Sequence, residues 1–156
     1  MKGDKGMRYI IKTFNDLTNE ELYKIMKARV DVFVVEQTCP YPEIDNYDQE
    51  AIHYFINDGE EIMGYVRILP SGSRYSEASI GRVLVTKASR GNGYARDIME
   101  KAIQYIRDEW KETKIKLQAQ VYLEKFYVSL GFERISEEYL EDNIAHVDMI
   151  RRGEVS

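Results

Sequence analysis

The chain has 156 residues, of which 44% are hydrophobic and 31% charged, with a net charge of −5. That is the mixture of one globular domain with a real core. The acidic balance argues against nucleic acid as the main partner, and no apolar run reaches membrane-spanning length or the apolar core of a secretory signal. Cys39, the single cysteine, excludes an internal disulfide and, with no export signal, points to a reducing cytoplasm.

Residues 1–6 are short and polar and are expected to form a disordered tail ahead of one domain at 7–156. Residues 8–14 alternate weakly and predict a strand. Thr18-Asn19-Glu20-Glu21 is a Thr-x-x-Glu cap, and Leu22, Ile25, Met26, Arg29 and Phe33 then share a helical face to about Val34. Residues 35–50 read as a long acidic loop carrying Pro40, Pro42, Glu36, Glu43, Asp45, Asp48 and Glu50. Tyr41 and Tyr47 favour its being ordered. Strands at 51–56 and 62–69 are joined by Asn57-Asp58-Gly59, a hairpin signal. A strand at 79–85 ends in Val83-Leu84-Val85, a run that suits burial on both faces. Ala95, Ile98, Met99, Ala102, Ile103 and Ile106 predict a helix reaching about Trp110. A strand at 115–119 and a helix at 123–130, capped by Gly131, follow. The last strands, 132–135 and 145–151, are separated by an acidic loop. This order predicts an α+β fold with a mixed central sheet flanked by helices.

Between the strand at 79–85 and its helix lies Arg90-Gly91-Asn92-Gly93. Glycines let a backbone approach a ligand closely, unpaired helix N–H groups bind phosphate oxyanions, and Arg90 adds fixed charge. Arg82, Lys87 and Arg96 surround the loop. The same arrangement also serves as a plain strand-to-helix turn. It matches neither the Walker pattern nor the dinucleotide fingerprint.

Arg90-Gly91-Asn92-Gly93-Tyr94-Ala95 resembles the Arg/Gln-x-x-Gly-x-Gly/Ala pyrophosphate loop of the GNAT acyltransferases. Phe126-Tyr127-Val128-Ser129-Leu130-Gly131-Phe132 resembles the Phe/Leu-Tyr-x-x-x-Gly-Phe signature after that family's fifth strand. Further segments resemble the ElaA-like branch: Ala28-Arg29-Val30, Phe33 to Gln37, Cys39 to Asp45, Ala119-Gln120, Tyr122-Leu123 and His146-Val147-Asp148-Met149. Gln120 and Leu123 depart from the general GNAT pattern, where an Asn and a small residue are usual. The resemblance implies the GNAT fold, with its fourth and fifth strands splayed apart. It implies an N-acetyltransferase that moves an acetyl group from acetyl-CoA to an amine by direct transfer. Backbone groups of Val83, Leu84 and Val85 would hold the pantetheine arm, Arg90, Gly91, Asn92, Gly93, Tyr94 and Ala95 the pyrophosphate, and Tyr127 would protonate the departing thiolate.

Acyl transfer needs a neutral amine. A lysine-like amine is neutral about once in 10³ at pH 7, a deficit of about 4–5 kcal/mol, so a base or water relay is required. The candidates are Glu36, His53 and His146, with Asp148, two residues on, placed to orient the His146 imidazole. A lone strand histidine more often has a structural role, and Glu36 also reads as a solvated carboxylate. Cys39 has no adjacent histidine to activate it, and no metal ligand set is expected. The density of carboxylates at 36–50 suggests a cationic acceptor. Two other classes compete: a non-catalytic CoA- or nucleotide-binding module, and an interaction domain using the acidic loop. The sequence leaves the acceptor, the acyl length and the oligomeric state open, a homodimer included.

Overall fold

The computed structural model describes residues 7–39 and 42–153; the tail at 1–6, together with Pro40 and Tyr41, lies outside the described residues. β1 (Arg8–Thr13) leads into α1 (Asn19–Arg29). Thr18 Oγ1 accepts from the Glu21 N–H at 3.0 Å, and Glu21 Oε1 accepts from the Thr18 N–H at 2.9 Å, so two orphan donors of the first turn are satisfied reciprocally. The helical path continues past Arg29, but not as α-helix. Val30–Glu36 widens into a π-helix. Val30, Val32, Val34 and Val35 fall within it, and β-branched side chains crowd an α-helical turn. Wide turns of this kind recur at functional sites.

β2 (Ile52–Asn57), β3 (Ile62–Leu69), β4 (Ala78–Val85), α2 (Tyr94–Glu109), β5 (Ile115–Gln120), α3 (Glu124–Val128), β6 (Glu133–Arg134), β7 (Tyr139–Glu141) and β8 (Ile144–Arg151) complete the order. β7 corrects the expected acidic loop. Asp142 and Asn143 both adopt left-handed φ values, 53° and 65°, and turn β7 back onto β8 as a two-residue hairpin.

The sheet runs β1-β2-β3-β4-β5-β8-β6, with β7 also paired to β8. Every neighbouring pair is antiparallel except β4–β5. That parallel pair holds register only at Ala78↔Ile115 and Ser79↔Lys116, after which the strands part. Val83 and Val85 are therefore only partly buried, contrary to the expectation of a strand covered on both faces, while Leu84 enters the core. β4 also carries a bulge. Tyr65 faces Leu84 and Arg67 faces Gly81, so Val66 stands opposite both Arg82 and Val83. Arg82 takes φ +53°, a conformation that costs a non-glycine residue about 1–3 kcal/mol.

Successive strand residues point to opposite faces and build two cores. On one face, Ile98, Met99, Ala102, Ile103 and Ile106 of α2 pack on Ile56, Val66, Ile68 and Leu117. On the other, Ile25, Ala28 and Val32 pack on Phe55, Tyr65 and Leu84. Each fully buried aliphatic side chain here contributes about 1.5–3 kcal/mol by leaving water. The two layers fix the sheet while leaving the β4–β5 gap open.

Candidate active site

The parting of β4 from β5 makes a cleft of about 780 Å³. Val83, Val85, Arg90, Gly91, Gly93, Tyr94 and Ala95 line it, as do Tyr127, His146 and Glu36. Leu84 borders it too, but its side chain is buried in the second core, leaving mainly backbone for a ligand. Asn92 is absent from the lining; its amide donates to the Ser89 carbonyl at 2.9 Å and braces the loop from within.

Gly91 and Gly93 take φ values of +86° and +78°, and Gly93 is the cap of α2. No neighbouring atom lies within 4 Å of where a Cβ would stand at either position. The left-handed backbone, rather than lack of space, is the local demand for glycine. The first α2 turn thereby presents its N–H groups beside the cleft. Arg90 Nε donates to the Val85 carbonyl at 2.9 Å and so ties the loop to the end of β4, using one of that oxygen's two lone pairs. Arg90 Nη1 and Nη2 meet the two Glu36 oxygens at 2.5 and 2.8 Å. This hydrogen bond holds the Glu36 carboxyl below its ordinary range, against a small opposing effect of burial. Arg96, one turn into α2, donates to Ser129 Oγ at 2.6 Å and lies over the Phe126 ring.

Tyr127 is buried, with its ring edge-on to Phe126 and Phe132 at 5.2 and 6.1 Å between centroids. Burial pushes its hydroxyl well above the ordinary tyrosine value, so it carries its proton at neutral pH. The hydroxyl has no hydrogen-bond partner among the described residues. His146 Nδ1 lies 2.7 Å from the Ile144 carbonyl. A carbonyl only accepts, so Nδ1 carries the proton and Nε2 is left as an acceptor. The imidazole stacks on Tyr139 at 6.1 Å. Asp148 does not orient it: that carboxylate instead accepts from the Tyr139 hydroxyl at 2.5 Å. His53 lies outside the cleft lining and is fully buried, with Nδ1 2.6 Å from the Tyr65 hydroxyl and Nε2 2.9 Å from the Asp48 carbonyl, which is a structural role. Cys39 is also buried. Its Sγ lies 3.4 Å from the Asp142 carbonyl, and burial, then Asp142, push its thiol up, the opposite of a reactive cysteine.

The sequence matches the model of the GNAT acetyltransferase domain over residues 13–152. The chain belongs to the GNAT acetyltransferase family. It is 39% identical over 146 residues to a UPF0039 protein of Schizosaccharomyces pombe, covering 92% of this chain and 96% of that one. It is 37% identical over 139 residues to the protein ElaA of Escherichia coli, covering 88% and 91%. The crystal structure of that ElaA superposes with a TM-score of 0.87 over 93% of this chain and 99% of the other. An acyl-CoA N-acyltransferase from Pseudomonas aeruginosa gives the same score at 36% identity, over 92% and 99%. The α+β GNAT fold and the ElaA-like likeness both follow.

In this GNAT protein the acidic loop is not an open recognition surface. Arg29, wholly buried, donates from Nε to Glu43 Oε2 and from Nη1 to Asp48 Oδ1, both at 2.6 Å. Arg67 forks onto Asp45 with two bonds of 2.8 Å and reaches Asp48 at 3.1 Å. Arg82, aimed by its left-handed backbone, meets Glu43 at 2.7 Å and Asp45 at 3.1 Å. Burial opposes ionisation of Asp45, yet the Arg67 bonds and the charges of Arg67 and Arg82 outweigh it and hold that carboxyl at about 2. Arg82 is thus committed to this cluster rather than to the phosphate patch. Glu36, the carboxylate weighed as a base, borders the glycine loop, where it pairs with Arg90.

Residues 36–39 form a strap across the cleft. Glu36 reaches Arg90, Gln37 accepts from Gln120 Nε2 at 3.2 Å, and Cys39 meets the β7–β8 turn. Gln120, noted above as a departure from the general pattern, is therefore one of the strap's anchors. The arginine cluster and the strap escaped sequence reasoning. One signal was present: Arg67 interrupts the apolar run of β3, where a charge must find a buried partner.

Proposed function

We propose that this GNAT protein transfers the acetyl group of acetyl-CoA to an amine by direct attack in a ternary complex. The observation that carries this reading is a cleft between splayed strands with a left-handed glycine loop at one end and Tyr127 and His146 on its walls. The pyrophosphate is assigned to the N–H groups of the loop and the first turn of α2, with Arg90 and Arg96 supplying positive charge. The ammonium form of the acceptor gives a proton to His146 Nε2, directly or through water. The neutral nitrogen then attacks the thioester carbon. The C–N bond forms and the nitrogen gives up its second proton to solvent; the C–S bond breaks, the thiolate takes the Tyr127 proton, and solvent restores the Tyr127 hydroxyl and takes the proton held by His146. A thiolate, whose thiol has a reference value near 8.5, is a weaker base than the Tyr127 phenolate, so the transfer runs uphill and needs a donor placed for it; the Tyr127 ring is held by two aromatic neighbours. Glu36, held below the usual carboxylate range, suits the Arg90 ion pair better than the role of base. The reducing environment inferred from the single cysteine fits a cytoplasmic enzyme.

Calorimetric CoA binding and thiol release from acetyl-CoA with a panel of amines test the reading together. Gly93→Glu, which sets a carboxylate against the phosphates, is expected to abolish binding in a folded protein. Unchanged affinity in that variant would overturn the loop assignment. Binding without thiol release across the panel would favour the non-catalytic module.

A further inference from the structure

We propose that the acceptor is a small amine that also carries a carboxylate, with the carboxylate held by Arg74; this rests on the acyltransferase reading above. Arg74 follows β3 and lines the cleft, half-buried. Its guanidinium lies over the Tyr75 ring at 5.1 Å, and Nη2 donates to Gln118 Oε1 at 3.2 Å. Lys116, from β5, stands over the same ring at 4.4 Å. Neither cation makes an ion pair with any described residue. The nearby arginines differ, because Arg29, Arg67 and Arg82 share Glu43, Asp45 and Asp48.

Of the two cations only Arg74 lines the cleft, and an anion reaching it there gains a charge-assisted contact, set against the carboxylates of Asp148 and Glu141, which also act on Tyr75. Arg74 is also preorganised. Its plane is held by the ring and by Gln118, which leaves other N–H groups of the fork for a carboxylate.

The register sets the spacing. Gln118, the anchor of Arg74, and Gln120, the residue paired with His146, are two apart on β5 and share a face. At a rise of about 3.3–3.4 Å per residue their Cα atoms lie about 7 Å apart, so the strand that anchors Arg74 also runs beside His146. Glu141 and Asp142 also line the cleft, from the β7–β8 turn. Glu43, Asp45 and Asp48, three of the carboxylates that suggested a cationic acceptor, are occupied by arginines.

The test measures thiol release from acetyl-CoA with matched pairs. These are glycine, β-alanine, γ-aminobutyrate, 5-aminovalerate and the L-α-amino acids, each against its primary amide, with spermidine as the cationic comparison. At least one acid is expected to exceed its amide in kcat/KM by tenfold or more. Arg74→Gln should bring the acid-to-amide ratio towards one, acting through KM, with acetyl-CoA affinity within twofold of wild type. Amides or spermidine turned over as well as the acids, or an unchanged ratio in Arg74→Gln, would overturn the proposal while leaving acetyl transfer intact. If no amine turns over, binding of each N-acetyl acid and its N-acetyl amide is measured by calorimetry with and without CoA. Preference for the acid, lost in Arg74→Gln, supports the proposal even though the acyltransferase reading has failed; no preference overturns it.

Discussion

Replacing Glu36 by Gln is expected to tighten CoA binding. In the free protein Arg90 is held by both Glu36 oxygens, so a pyrophosphate must displace that carboxylate before Arg90 serves it. The side chains are 41% and 37% exposed, which places the pair in the solvent-screened class worth about 0.2–1 kcal/mol. Bidentate geometry puts it towards the upper end of that range. At 1.36 kcal/mol per tenfold, the expected gain is about two- to fivefold in Kd. Two controls sharpen the test. Arg90 holds the Glu36 carboxyl below its ordinary range, so the pair is ionised throughout pH 6–8 and the gain should be flat there. Raising salt from about 0.1 M to 1 M shortens the screening length from about 10 to 3 Å and should shrink the gain. The assay is calorimetric titration of CoA into wild type and variant at low and high salt, with kcat measured on the same preparations. Unchanged or weaker affinity at low salt would refute the competition. A kcat fall of about 10²-fold would instead return Glu36 to the role of base.

Tyr127→Phe should lower kcat by about 10²-fold and leave CoA affinity within twofold. Melting should barely change, since the hydroxyl has no partner among the described residues; unchanged kcat with chemistry rate-limiting would remove the acid role. Arg29→Met should cost about 3–5 kcal/mol in chemical denaturation, because Glu43 and Asp48 lose their wholly buried partner, and a loss under 1 kcal/mol would show that the loop rearranges freely. Burial pushes the His53 imidazole below its ordinary value, so as pH falls the unfolded chain takes up the proton first. The His53 contribution is therefore complete above about pH 6.5 and lost as pH falls through the lower folded value. His53→Gln should flatten that part of the stability–pH curve, and an identical slope in both proteins would reject the assignment.

The sequence was most legible where periodicity and turn chemistry are local. The Thr18–Glu21 cap, the apolar face of α2 and the glycine loop before it stand where their patterns place them. Val83-Leu84-Val85 misled because an apolar run does not reveal whether a neighbouring strand stays paired; here β5 leaves after two residue pairs. β7 was missed because its hairpin turns on Asp142-Asn143 rather than on a glycine. The acidic loop misled for a different reason. A carboxylate's role depends on its partner, and the partners Arg29, Arg67 and Arg82 lie 14 to 39 positions away, on three different elements. Asp148 shows the same limit in miniature: spacing put it on the face of His146, but Tyr139 reaches it first.

The arginine cluster is better understood as a device for orientation than as a source of stability. A buried set of three arginines and three carboxylates roughly repays its own desolvation, and apolar replacements of equal volume often do as well. Apolar contacts, however, tolerate sliding and repacking, whereas a forked guanidinium accepts its carboxylate in few geometries. Arg67 and Arg82 share Asp45, and Arg29 and Arg82 share Glu43, so the acidic loop is pinned from β3, β4 and α1 at once. The strain at Arg82 belongs to the same arrangement, since its left-handed backbone forms the β4 bulge while its side chain meets Glu43. Pinning the loop at 43–48 constrains where the chain leaves the π-helix, and that exit is the strap of Glu36, Gln37 and Cys39 over the cleft. The loop's charges thus shape the mouth of the site while remaining unavailable to the acceptor. Arg74, outside the cluster and without an ion pair among the described residues, is the cleft arginine proposed to select what enters.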